Sequence, residues 1–263
     1  MAQITSGVHF GLGGRVAVVT GAAQGIGAAC ARGLARDGAA LALWDVADAA
    51  GEALAAALRA EGRRALFVHC DVSDKQQVDA ALDATCAEFG AIDALVNNAG
   101  IFRAAPFLDI TEADWDAVIA VNLKGSFLVG QAVARQMPAG GAIVNMSSVN
   151  GVMAIPTIAS YNASKGAIDQ LTRAMALALA GRAIRVNAVA PGTIATELAR
   201  NAVLTSDEAK ARIMSRTPLQ RLGEPAEVAD VVAFLLSSAS SYMTGEIVYV
   251  DGGRLALNYT VST

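Results

Sequence analysis

The chain has 263 residues, enough for one large α/β domain or two small ones, and 54% of them are hydrophobic, so it can bury a large core. Its net charge of −4 leaves no basic footprint for nucleic acid. No apolar run reads as long enough to span a bilayer, and the N-terminus lacks a basic-then-apolar signal pattern. The three cysteines, Cys30, Cys70 and Cys86, lack metal-site and Cys-x-x-Cys spacing, which implies a reducing, cytoplasmic setting. Cys30 and Cys86 fall in helical patterns and read as small core residues. His9 and His69 are isolated, so no metal site is expected.

Residues 1–13 read as a loose arm with glycines, outside the core. The β-branched run 15–20 reads as a buried strand. Gly21-Ala-Ala-Gln24-Gly25-Ile26-Gly27 follows at once, and 28–37 reads as an alanine-rich helix closed by Gly38. Strand, glycine turn and helix form the context of a dinucleotide fingerprint. The glycines let backbone approach a pyrophosphate, and a helix N-terminus offers free N–H groups and a positive dipole end. Their spacing is Gly-x-x-x-Gly-x-Gly, and the same residues would also serve a turn that merely packs tightly. A second strand, 40–44, ends at Asp45. The fingerprint expects an acid there to accept hydrogen bonds from the adenosine ribose. Asp45 would repel a 2′-phosphate, and no Arg or Lys lies in the glycine turn or just after it, so NAD is favoured over NADP. Asp45 could equally cap the helix that begins near Asp48.

Further strands are predicted over 64–68, 94–97, 142–146, 184–190 and 246–250, alternating with helical patterns. Ser73-x-x-Gln76 and Thr111-x-x-Asp114 read as capped helix starts, and Pro225 suits the first turn of a helix over 226–236. The alternation predicts a single domain over 1–263, with one doubly wound parallel sheet and helices on both faces. No repeat, low-complexity stretch or linker interrupts it. Residues 194–217, with apolar Ile194, Leu198, Val203, Leu204, Ile213 and Met214, read as a substrate lid. The tail 255–263 is too apolar to sit comfortably in water.

Ser148, Tyr161 and Lys165 carry the chemistry. Tyr followed four positions later by Lys puts two polar side chains on one helix face, a turn apart. An ammonium that close is expected to pull a tyrosine pKa from about 10 toward neutrality. Such a group can take a proton from an alcohol or give one to a ketone. Ser148 is expected to end a strand and Tyr161 to open the next long helix. In an open α/β sheet, ligands bind beyond the carboxyl ends of the strands, where the glycine turn, Asn97-Asn98, Ser148 and Pro191-Gly192 all fall. Ser148 would hydrogen-bond the reacting oxygen. Asn150, Val152, Met153 and Pro156 lie between Ser148 and Tyr161 and are expected to line the substrate pocket.

Over essentially its whole length the chain resembles the short-chain dehydrogenase/reductase family. Thr20-Gly21-x-x-Gln24-Gly25-Ile26-Gly27 resembles the family's cofactor turn. Asp71-Val72 resembles the pair that touches adenine, and Asn97-Asn98-Ala99-Gly100 the segment that stabilises the central sheet. Asn122, Ser148, Tyr161 and Lys165 match the catalytic Asn, Ser, Tyr and Lys. Pro191-Gly192, with Ile194 and Thr196 in the same loop, resembles the segment that meets the nicotinamide carboxamide. The resemblance implies a Rossmann-type fold and hydride transfer between a nicotinamide cofactor, read from Asp45 as NAD(H), and a secondary alcohol or ketone; the apolar lid favours a neutral alcohol, and Asn150 and Thr193 would suit a polyol or sugar. It implies Tyr161 as acid/base, Lys165 lowering its pKa and holding the nicotinamide ribose, and Asn122 positioning a water that leads from Lys165 to solvent. Ser148, Asn150, Met153 and Tyr161 would meet the substrate. It also implies a homotetramer, built through the face Ala167, Leu171, Ala174 and Ala178, with Leu257 and Tyr259 at a subunit boundary. The expected partner is a small molecule, with neither nucleic acid nor membrane. The alternative is a 3-oxoacyl-[acyl-carrier-protein] reductase using NADPH, with Arg135 and Arg182 meeting an acidic carrier. Asp45 argues against it.

Overall fold

The computed structural model describes residues 9–197, 199 and 206–261. Its strands are β1 (Val16–Thr20), β2 (Ala40–Asp45), β3 (Ala65–His69), β4 (Ala94–Asn97), β5 (Ala142–Met146), β6 (Arg185–Pro191) and β7 (Ile247–Val250). They form one parallel sheet in the order β3-β2-β1-β4-β5-β6-β7. The helices are α1 (Gly25–Arg36), α2 (Asp48–Ala60), α3 (Lys75–Phe89), α4 (Glu112–Ile119), α5 (Ser126–Gln136), α6 (Ala159–Leu179), α7 (Asp207–Met214) and α8 (Pro225–Leu236).

The period-2 geometry of a strand sends successive side chains to opposite faces, so a sheet covered on both sides needs unbroken apolar runs. Every residue of β1 is buried: Ala17 and Val19 join one core, Val16 and Val18 the other. The first core is filled by α1, α2 and α8 through Leu34, Leu54 and Val232; the second by α3 and α5 through Val78, Leu128 and Val129. Strand order reverses between β1 and β4, which opens the binding crevice of this architecture at their carboxyl ends.

Several boundaries differ from expectation, each for a local reason. Helix α1 begins at Gly25 rather than residue 28, because the last two glycines of the turn already take part in its first turn. Asp74, not Ser73, caps α3: its carboxylate accepts from the Gln76 amide at 2.8 Å, while Ser73 donates to Asp71. Thr111 caps α4 as its motif suggests, and Pro225 stands in the first turn of α8 beside a reciprocal Glu224–Glu227 cap. The N-terminal arm is not wholly loose. Leu12 is 2% exposed, Phe10 meets Phe234 edge to face, and His9 pairs with Asp37; residues 1–8 lie outside the described residues. The expectation that no segment could span a bilayer also needs correction. A π-helical turn, Ala120–Gly125, joins α4 to α5, and the continuous helix Glu112–Gln136 is long and apolar enough by length and composition. More than half of the most apolar stretch of that helix is buried inside the fold, as in a core helix.

In the expected lid, Ile194 is buried and bridges to Gly223, and Ile213 of α7 packs inward. Leu198, Val203 and Leu204 lie outside the described residues. The tail returns to this region: the Val261 amide donates to the Ser215 carbonyl at 2.8 Å. Within a single protomer Leu257 is half-buried and Tyr259 is 81% exposed.

Candidate active site

The glycine turn is closed from both sides. Gly21 has φ +61°, and a β-carbon there would lie 2.8 Å from the Ala99 Cα. A β-carbon on Gly25 would sit 3.4 Å from the Thr196 side chain, so the loop after β6 arches over the turn after β1. Beneath the turn, the Thr20 hydroxyl accepts from the Asn98 and Ala99 amides, each at 3.0 Å. The Asn98 side chain donates to the Thr20 and Gly21 carbonyls. The Asn98 side-chain amide is thus spent on bracing the turn. Gln24 precedes α1 in extended conformation and caps it with no side-chain bond, and no acid stands in the first turn. The leading N–H groups and positive dipole end of α1 are left for an anion. Ile26 packs against the first core. These features fit a dinucleotide pyrophosphate: a cradle that any β-carbon would fill, at a helix N-terminus.

Asp45 ends β2 next to the turn. Its carboxylate accepts from the Ala23 amide at 2.8 Å and the Ala47 amide at 2.9 Å, which fixes its orientation. Asp71 accepts from the Ser73 amide and hydroxyl, and Val72 is buried against Gly125. The Gly192 amide donates to the Val250 carbonyl and holds the Pro191-Gly192 corner against β7. The Thr196 hydroxyl accepts from the Ala199 amide.

The proposed reacting groups gather at the same edge. Ser148 stands two residues beyond β5, not at its end, and opens the short 3-10 turn Val149–Gly151, its hydroxyl accepting from the Asn150 amide. Asn150 is buried in this turn, Met153 is half-buried, and Val152 is exposed. Tyr161 and Lys165 occupy successive turns of α6. The Lys165 ammonium is buried, donates to the Met146 carbonyl at 2.6 Å, and lies 5.5 Å from the centre of the Tyr161 ring. Asn122 sits in the π-helical turn, an irregularity frequent at functional sites. Its side chain accepts from the Ile101 amide and donates to the Ile101 carbonyl and Ser164 hydroxyl, tying the segment after β4 to α6. A β-carbon on Gly100 would meet Asn122 at 3.4 Å.

The electrostatics correct one expectation. Burial holds the Tyr161 phenol above its ordinary value, and hydrogen bonding to Ser148 pulls it back down. The direction in the ligand-free chain is therefore upward, the reverse of the shift expected from the neighbouring ammonium, because desolvation of the phenolate dominates. Burial brings Lys165 down to about 8, opposed by the Asp169 charge.

Some site residues carried no readable signal. Phe102 packs edge to face on Tyr161, with centroids 5.7 Å apart, from an irregular segment with no periodicity. Ser147 and Asp169 hydrogen-bond beneath the site, and only the four-residue step from Lys165 to Asp169 could have suggested it. Among the described residues, no three His, Cys, Asp or Glu side chains gather as a metal site.

A family model described as Enoyl-(Acyl carrier protein) reductase matches residues 21–254. The cis-4-hydroxycyclohexanecarboxylate dehydrogenase of Sinomonas cyclohexanicum is 48% identical over 92% of this chain and 97% of its own. The 3-oxoacyl-[acyl-carrier-protein] reductase FabG of Thermotoga maritima is 41% identical over 92% of this chain and 98% of its own. A gluconate 5-dehydrogenase from Burkholderia cenocepacia, solved in complex with NADP and tartrate, superposes with a TM-score of 0.91 at 43% identity, covering 95% of this chain and 98% of that one. With its doubly wound parallel sheet and these relatives, the chain belongs to the short-chain dehydrogenase/reductase family and is an oxidoreductase.

Proposed function

We propose that the chain is an NAD-dependent dehydrogenase acting on a secondary alcohol or the matching ketone, with Tyr161 as general acid/base. The bound nicotinamide supplies the hydride acceptor or donor, and the protein supplies orientation and charge. Tyr161 takes the hydroxyl proton during oxidation and returns it during reduction. Ser148 hydrogen-bonds the reacting oxygen and steadies the charge that develops on it. Lys165 supplies the positive charge that favours phenolate and holds the nicotinamide ribose, and Asn122 positions a water between Lys165 and solvent. The observation that carries this reading is the meeting of Ser148, Tyr161 and Lys165 beside a glycine cradle at one edge of the sheet.

Asp45 supports NAD over NADP. Its carboxylate is held by two amides at the end of β2, the position from which an acid recognises an adenosine ribose and repels a 2′-phosphate. Gly21, Gln24, Gly25, Ile26, Gly27, Asp71, Val72, Asn98, Ala99, Gly100, Pro191, Gly192, Ile194 and Thr196 complete the cofactor surface. Asn150 and Met153 border the substrate, a neutral alcohol, polyol or sugar. Arg103 favours a second reading, a secondary alcohol that also carries a carboxylate. It follows Phe102 directly and is mostly exposed, and among the described residues its one ion pair is a 3.7 Å contact with Asp114. The Sinomonas and Burkholderia relatives are named for substrates of that kind. A carrier-protein substrate is less well supported, because the Arg182 guanidinium is spent on the Ala134 and Met137 carbonyls at the end of α5. The homotetramer is supported by Phe107, Leu108, Trp115, Phe127 and Leu177, all exposed on a single protomer. A reducing cytoplasm suits its three free cysteines.

The test is a panel of secondary alcohols, polyols, hydroxy acids and a 3-oxoacyl thioester, assayed with both cofactors through nicotinamide absorbance. Turnover of an alcohol with NAD is expected. Activity confined to the thioester with NADPH would overturn the proposal.

A further inference from the structure

Tyr161 and Lys165 continue along α6 to Asp169, so three ionisable side chains stand at successive four-residue steps on one stripe of the helix. Asp169 is 5% exposed, an unusual place for a carboxylate. Its two oxygens are differently engaged. One accepts a 2.5 Å hydrogen bond from the buried Ser147 hydroxyl, which also lies 3.5 Å from the Lys165 carbonyl. The other is covered by the turn that carries Ser148: a β-carbon on Gly151 would fall 2.5 Å from it. The carboxylate therefore packs from α6, which carries Tyr161 and Lys165, against the segment after β5 that carries Ser147 and Ser148.

We propose that Asp169, braced by Ser147, is a positioning residue that keeps the buried Lys165 ammonium charged and seated beside Tyr161. Among the described residues the buried ammonium hydrogen-bonds only the uncharged Met146 carbonyl, and such a group needs a nearby counter-charge. Asp169 is the acidic group acting on it, and its field opposes the burial that otherwise discharges Lys165. Burial raises the carboxyl of Asp169 as well, opposed by the Ser147 hydroxyl, Arg173 and Lys165. The charge of Asp169 also raises the phenol of Tyr249 on β7, where burial is the larger cause. The significance for catalysis rests on the proposed role of Lys165; the charge coupling itself does not.

The experiment separates the two. The chain has four lysines, so side-chain 13C-lysine spectra of the ligand-free protein resolve each titration, with Lys165 identified by its loss in Lys165→Met. In Asp169→Asn, which keeps the shape and an acceptor for Ser147, the Lys165 midpoint is expected to fall by about one pH unit. Asp169→Glu is expected to restore it in part. A merely structural role would lower the melting temperature and leave the midpoint in place, which would overturn the proposal. Should the Asn variant fail to fold, Asp169→Ser relieves crowding and carries the same test with the same two outcomes. A lowered midpoint with an unaltered rate profile would uphold the coupling and count against the catalytic role of Lys165 instead.

Discussion

A β-carbon on Gly27 would lie 2.0 Å from the carbonyl oxygen of Gly21, inside the same turn. The obstacle is backbone, which cannot swing aside as a flexible side chain would. Gly27→Ala must therefore open the cradle. We expect it to cost about 2 kcal/mol or more of stability and to weaken NAD binding by at least about tenfold. Thermal melts and calorimetric titration measure the two effects. Wild-type affinity in the Ala variant would contradict a cofactor seated on this turn.

Cofactor choice follows from the carboxylate of Asp45. NAD is expected to exceed NADP in kcat/KM, and Asp45→Ser to narrow the gap by removing the repulsion. Steady-state kinetics with both cofactors checks this, and a wild-type preference for NADP would refute the assignment.

The pH dependence has a definite form. Tyr161 is held above its ordinary pKa, so the phenolate fraction rises with pH throughout the neutral range. Lys165 loses its charge as pH passes about 8. Oxidation requires phenolate and ammonium together, so its kcat/KM should climb to about pH 8 and then level off. Reduction requires phenol and ammonium, so it should be flat below about pH 8 and decline above. Oxidation that slows as pH rises from 6 toward 8 would contradict these assignments.

Assembly is a separate expectation. Leu177 is 82% exposed and Leu108 is 92% exposed on the isolated protomer, and Phe107 and Tyr259 are also exposed, side chains that a subunit boundary would cover. Light scattering at micromolar concentration should report a homotetramer of closed symmetry. A stable monomer would contradict it. Deletion of residues 255–263 should weaken assembly, and an unchanged tetramer would remove the role given to Leu257 and Tyr259.

The fold was legible wherever a short apolar run met a helical pattern. Strands such as Ala94–Asn97 and Ala142–Met146 fall where their burial demands, because both faces of the sheet are covered and no polar residue can intrude without a partner. Site residues were legible where spacing encodes geometry, as in the glycine turn and the Tyr161–Lys165 step. What spacing cannot encode was missed. The partners of Asn98 are one case: its side-chain amide braces two carbonyls, contacts made across 77 and 78 positions of sequence. The Tyr161 phenol is shifted up rather than down because the sequence does not show the desolvation of its hydroxyl, which is set by segments distant along the chain. Phe102 reaches Tyr161 from an irregular segment, and Asp74 took the cap expected of Ser73 because Asp71 claimed that hydroxyl.

The most direct test is Tyr161→Phe, assayed by kcat on an accepted alcohol alongside NAD binding by calorimetry. The ring and its contact with Phe102 survive the substitution, and only the phenolic oxygen is lost. A fall in kcat of at least about a hundredfold with near-unchanged NAD affinity is expected. Wild-type turnover in the Phe variant would contradict Tyr161 as the acid/base.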